Sequence, residues 1–71
     1  VEALEFRVRN APALTGRQLK DLPIRRGILI AVIHRGGRII IPGGGDTLCE
    51  GDGVVVITTM QNLSDLSDIL Q

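Results

Sequence analysis

The chain has 71 residues, 44% of them hydrophobic but only 1% aromatic, and its 8 basic residues are balanced by 8 acidic ones. A chain this short is one domain that buries a modest share of the surface it exposes when unfolded, so its stability is marginal or shared with a partner. Balanced charge and a lone aromatic, Phe6, argue against nucleic acid, whose binding rests on phosphate neutralisation and base-stacking rings.

The opening "VEALEFRVR" alternates, with Leu4, Phe6 and Val8 on one side and Glu5, Arg7 and Arg9 on the other, and predicts a half-buried strand over residues 2 to 9. After Ala11 and Pro12, "LTGRQLKDLP" offers Thr15 as an N-cap with Gln18 three residues on, the pattern of a capping box, and Leu14 placed to staple against Leu19. A short helix of two or three turns follows, burying Leu19 and Leu22 and stopped by Pro23. Next, "ILIAVIHR" and "RIIIP" flank Gly36-Gly37, a pair suited to the positive φ angles of a two-residue hairpin turn. Both strands are apolar on both faces, so the second face needs a cover: a helix, a neighbouring subunit or another domain. A two-residue turn sets Arg35 opposite Arg38, an unfavourable pair that must splay into water or take an anionic partner.

"PGGGDTLCEGDG" is a loop, with Leu48 as its anchor and "EGDG" as a tight turn into a strand over residues 54 to 58. Thr59 then caps a last helix whose Leu63, Leu66 and Leu70 form one apolar stripe, with Asp65 and Asp68 on its wet side. The order β-α-β-β-β-α, with a mainly antiparallel sheet, predicts a small two-layer α+β domain filling residues 1–71. Val1 opens directly in a strand and Gln71 follows directly on a helix, which suggests a domain excised from a longer chain.

The even charge hides an asymmetry. Residues 1–45 hold eight bases against three acids, net +5, whereas residues 46–71 hold five acids and no base, net −5. Such halves invite antiparallel pairing of subunits or an anion site on the basic side, or are simply two solvated faces of one domain. One cysteine, Cys49, makes no internal disulfide, and with a single histidine, His34, builds no zinc site, so the chain reads as cytosolic. No run approaches the roughly 20 apolar residues that span a bilayer.

Chemistry is sparse. His34 shares a strand face with Val32 and Ile30 on simple alternation and reads as structural or solvated rather than a ligand. Cys49 stands beside Glu50, which disfavours a reactive thiolate, and reads as a small apolar filler. The glycines of "GGRIIIPGGG" lack the Gly-Lys-Ser/Thr and the following helix of a phosphate loop. Asp46, Glu50 and Asp52 could reach one hard cation but lack the spacing of an EF-hand, and no metal site is assigned. Arg25 and Arg26 precede a buried strand. An arginine fork there can grip phosphate in a bidentate way, although paired arginines before a strand are more often solvated. No nucleophile and base pair up, so no enzyme is expected.

Taken together, "LTGRQLKDL", "GILIAVIHRGG", "IIIPGGGDTLCEGDGVVVI" and the closing "NLSDL" resemble the C-terminal domain of TrkA-type proteins, the RCK-C module of potassium-transport regulators. The pattern P-x-x-x-D-x-L-x-x-G-D, Pro42 through Asp52, is the most specific part. The resemblance implies a homodimeric regulatory module placed behind a nucleotide-binding Rossmann domain. It further implies a cytoplasmic location at the inner face of the cell membrane, gating a membrane-embedded potassium transporter or channel. In some members of the family the dimer interface binds cyclic di-AMP through an Ile-Arg pair before the second strand. That pair matches Ile24 and Arg25, with Arg26 in support, Ile28 and Pro42 as apolar wall, and Leu29 or a neighbour standing where such members carry an asparagine. The same module occurs in other cation antiporters and anion transporters, where it would serve as a structural dimerisation unit without a ligand of its own.

Overall fold

Alternation at the start of the chain does make a strand. The computed structural model describes residues 1–59 and 63–71, and in it Glu2–Arg7 forms β1. The strand ends two residues early because the chain turns at Asn10, whose φ is 50°, while Val8 exchanges backbone hydrogen bonds with the turn at residues 51 and 52. Ile28–Arg35 is β2, Arg38–Ile40 is β3 and Gly53–Thr58 is β4. They form one four-stranded sheet in the order β1-β4-β2-β3, antiparallel throughout.

The hairpin turn falls where its glycines place it. Gly36 and Gly37 take φ values of 56° and 79°, and Arg35 pairs directly with Arg38. β2 carries one irregularity: the register against β4 shifts between Ile30 and Val32, so that Ala31 is an extra residue. The bulge corrects the simple alternation. Val32 and His34 pair with Val55 and Gly53, on the same side as Leu29 opposite Ile57, whereas Ile30 and Ile33 pair with Val56 and Val54 on the other. His34 therefore shares its face with Leu29 and Val32, not with Ile30, and is exposed while Ile30 is buried.

The expected second layer of helices is replaced by loops. The first helical element is a single 3-10 turn, Leu19–Asp21, and the second is another, Leu66–Ile69. Thr15 caps nothing. It bridges to Leu48, Gln18 bridges to Thr47, and the N–H groups of Leu19 and Lys20 donate to the carbonyls of Asp46 and Gly44. Those N–H groups are spent on the glycine loop instead of on helical bonds. The expected last helix spans residues 60–62, which lie outside the described residues; beyond them the helix starts at Leu66. Its capping box is formed by Asp65 and Asp68, the two residues expected merely to face water.

One face of the sheet is dry. Val54, Val56, Ile30 and Ile33 pack with Val8, Leu14, Leu22, Leu48, Leu66 and Ile69, all buried, the last six supplied by loops and 3-10 turns. Leu48 anchors its loop as expected, and Leu19, only half-buried, packs at the margin. The opposite face is bare: Leu29 is 62% exposed and Ile39 67%, and just past β3 Ile41 is 75% exposed. The hairpin is apolar on both faces, and one of them has no cover within the described residues. Cys49, expected to fill a gap, is exposed instead.

Candidate functional site

The approach to β2 is built as a clasp. Pro23–Arg25 runs alongside the C-terminal segment: Ile24 bridges antiparallel to Leu70, the Arg25 N–H donates to the Ile69 carbonyl at 2.8 Å, and the Gln71 N–H donates to the Pro23 carbonyl at 2.8 Å. The Arg25 side chain joins in, its Nε donating to the Leu70 carbonyl at 2.8 Å. That bond orients the guanidinium and leaves its terminal nitrogens without a hydrogen-bond partner among the described residues. Two residues on, Gly27 takes a φ of 82° and accepts the Thr59 N–H, and a Cβ on it would sit 2.8 Å from the Thr59 Oγ1. Only glycine fits there.

Charge around the clasp is mixed. Arg25 and Arg26 are both exposed, and Arg26 has no ion pair among the described residues. The Asp68 carboxyl is held below the usual aspartate value by the N–H groups of Ser64 and Asp65 and the Ser64 hydroxyl, with a smaller contribution from the nearby Arg25 charge. Arg25 is therefore not an isolated cation.

The structure gathers Ile24, Arg25, Arg26 and Ile28, the last half-buried at the first position of β2. Pro42 stands elsewhere in the chain. Ile40 pairs with Ile33, so Pro42 falls by register near Ala31, some six residues of chain from Arg25, or roughly 20 Å if extended.

A cluster that the sequence did not disclose lies at the other end of β2. Arg35, although paired across the strands with Arg38, has the anionic partner that this placement calls for, and it is Asp52 of the same chain. Its Nε and a terminal nitrogen donate to the two carboxylate oxygens of Asp52 at 3.0 and 2.8 Å, and the same terminal nitrogen donates to the Thr47 carbonyl at 2.9 Å. The Cys49 N–H donates to Asp52 as well, at 2.9 Å. Asp52 is buried at 2% exposure, and the Arg35 hydrogen bond holds its carboxyl below the ordinary range against the opposing effect of burial. The Arg35 guanidinium is shifted upward by the same bond. The remaining acids of the loop are separately engaged, Asp46 by the Gly43 N–H and Glu50 by the Asn10 N–H. They do not converge on a cation position, and no metal-sized group of such residues occurs among the described residues. No helix among them is long and apolar enough to cross a membrane.

Comparison with known proteins places this arrangement in company. A family model described as the TrkA-C domain matches residues 3–71. Two curated relatives are the Trk system potassium uptake protein TrkA homolog of Archaeoglobus fulgidus, 32% identical, and homolog 2 of Methanosarcina mazei, 29% identical; each match takes in 97% of this chain. The chain spans only 16% and 15% of those relatives, respectively. A solved chain described as "Structure of RCK domain with cda" superposes with a TM-score of 0.80 at 24% identity, covering 100% of both chains. At that identity the likeness establishes the fold.

Proposed function

The chain belongs to the TrkA-C domain family, and on that premise we propose that it is a regulatory, ligand-sensing and dimerising domain of a potassium-uptake system. It acts without catalysis, from the cytosol, on a membrane-embedded transporter or channel, in a longer protein that also carries a nucleotide-binding Rossmann domain. The observation that carries this reading is the bare apolar face of Leu29, Ile39 and Ile41, which a lone 71-residue domain would not leave in water and which a homodimer covers. A ligand that prefers one arrangement of the two copies then biases whatever is attached to them, by as much as its affinity differs between the arrangements.

The ligand proposed is an anion of the cyclic dinucleotide class, cyclic di-AMP first, with Arg25 and Arg26 gripping phosphate and Ile24 and Ile28 lining the apolar side. The oriented Arg25 guanidinium supports this, and the neighbour of the same fold was solved with cda. Because Pro42 stands away from Arg25 in one protomer, it reaches the ligand only if the second copy supplies it. The test is calorimetric titration of the dimer with cyclic di-AMP. Saturable binding of one nucleotide per dimer, abolished in Arg25→Ala and weakened in Arg26→Ala, supports the assignment; unchanged affinity in Arg25→Ala refutes it.

A second reading has its own observation. The bond from Arg25 to the Leu70 carbonyl gives that arginine a structural task with no ligand at all. On this reading the domain is a dimerisation unit of another cation antiporter or an anion transporter, and a dimer that binds no nucleotide favours it.

A further inference from the structure

Arg25 can hold the C-terminal segment and an anion at the same time, because a guanidinium has more than one edge. Its Nε–H with one terminal nitrogen makes one bidentate fork, and its two terminal nitrogens make another. The Leu70 carbonyl takes the Nε–H at 2.8 Å, which closes the first fork and leaves the second open. Leu70 itself stands where the C-terminal segment is least secured. Leu66 and Ile69, at 2% and 0% exposure, sink the turn Leu66–Ile69 into the core, whereas Leu70 is only half-buried and Gln71 is exposed. Beyond Ile69 the segment is held on residues 23–25 by the Arg25 Nε bond to Leu70, by the Gln71 N–H on the Pro23 carbonyl at 2.8 Å and by a long contact from Gln71 Nε2 to the Ile24 carbonyl at 3.4 Å. A segment tied by so few bonds opens locally at a low free energy. The arginine proposed to grip phosphate supplies one of them.

We infer that residues Leu70 and Gln71 are coupled to the anion site: phosphate gripped end-on by the two terminal nitrogens of Arg25 locks them onto residues 23–25, and their release loosens the grip. This rests on the proposed cyclic dinucleotide site and adds which part of the chain responds to its occupancy. The sign follows from the fork that is used. An arginine held at its terminal nitrogens cannot swing away from the Leu70 carbonyl, so both bonds order one side chain and its rotamer freedom is lost once for the two. Phosphate on the other fork would have to displace the Leu70 carbonyl, and the ligand would then open the clasp. Linkage makes the effect reciprocal: the factor by which the closed clasp raises affinity for the anion is the factor by which the anion favours the closed clasp. The C-terminal segment is thus a second place, besides the arrangement of the two copies, where occupancy is registered.

The test is hydrogen exchange followed by NMR on the 71-residue chain, with and without saturating cyclic di-AMP, once calorimetry has measured binding. The Gln71 N–H reports the closed segment and is expected to exchange more slowly with the ligand by about fivefold or more, the low end of ordinary coupling between two sites. That slowing is read beyond any change at the Val8 N–H, which donates to the Asp52 carbonyl at the far end of β4 from the clasp and gauges protection of the whole fold. The Arg25 Nε–H is expected to slow with Gln71. Without ligand, Arg25→Ala is expected to speed exchange at Gln71 by about fivefold, the net worth of one hydrogen bond. No binding in the calorimeter refutes the ligand reading and this coupling with it. Binding that leaves Gln71 exchange unchanged refutes the coupling alone, and so does binding that speeds it, which would show phosphate displacing the Leu70 carbonyl. Unaltered Gln71 exchange in Arg25→Ala would also refute the coupling, because the Leu70 bond would then hold nothing.

Discussion

At the scale of single residues, Asp52 holds the most together. One buried carboxylate receives two hydrogen bonds from Arg35 and one from the Cys49 N–H, and so ties the end of β2 to the loop that leads into β4. Arg35 is 39% exposed, so water screens the charge and the loss on removing it is closer to that of hydrogen bonds than of a buried pair. Asp52→Asn is expected to lower unfolding stability at pH 7 by about 1–2 kcal/mol, measured by urea denaturation. The sign with pH follows from the depressed carboxyls of Asp52 and Asp68. Their stabilisation is complete above the ordinary aspartate value of 3.8 and is lost as pH falls through the lower folded-state values. Asp52→Asn should therefore flatten the acid limb of the stability curve, and an acid limb identical to the parent's would show that the pair contributes nothing. Asp52 stood in the sequence as a possible cation ligand and Arg35 as a charge that must splay into water or take an anionic partner; that Asp52 is this partner was not legible, because the return of the loop onto β2 that joins them, 17 residues apart, leaves no local pattern.

At the scale of elements, strands were legible and helices were not, for one physical reason. Alternation is local, so "VEALEFR" and the hairpin around Gly36-Gly37 announce their geometry without help from the rest of the chain. The capping pattern from Thr15 to Gln18 is local too, but its backbone donors find partners in the glycine loop, and tertiary bonds outcompete a helix too short to sustain itself. The bulge at Ala31 is likewise silent in sequence, and it alone moves His34 to the bare face. The candidate site was legible as an Ile-Arg pair before a strand. The clasp around it, in which the C-terminal residues bond to Pro23 and Arg25, was not, since those partners are more than 40 residues apart. That clasp ends at Gly27, where β2 begins against Thr59. Gly27→Ala forces a side chain into a left-handed backbone and against the Thr59 Oγ1, and should cost at least about 1–2 kcal/mol in urea denaturation. Gly45→Ala, where a Cβ meets open space, is the control. Equal stabilities of the two variants would contradict the account of the clasp.

At the scale of the whole molecule, the imbalance between the two faces of the sheet dominates. One face is sealed by loops carrying Leu14, Leu48, Leu66 and Ile69, and the other offers Leu29, Ile39 and Ile41 to solvent at the free edge of the hairpin. A small aliphatic core leaves little stability to spare, so covering that surface would add to the stability of the fold. The proposed dimerisation, ligand response and coupling to a transporter all depend on the same requirement, that the native state is shared between two copies. The melting temperature measured over a hundredfold range of protein concentration tests it most directly. A shared native state melts higher as concentration rises, because mass action stabilises the dimer against unfolded monomers; a single melting temperature across the whole range, with light scattering reporting a monomer, would contradict the account.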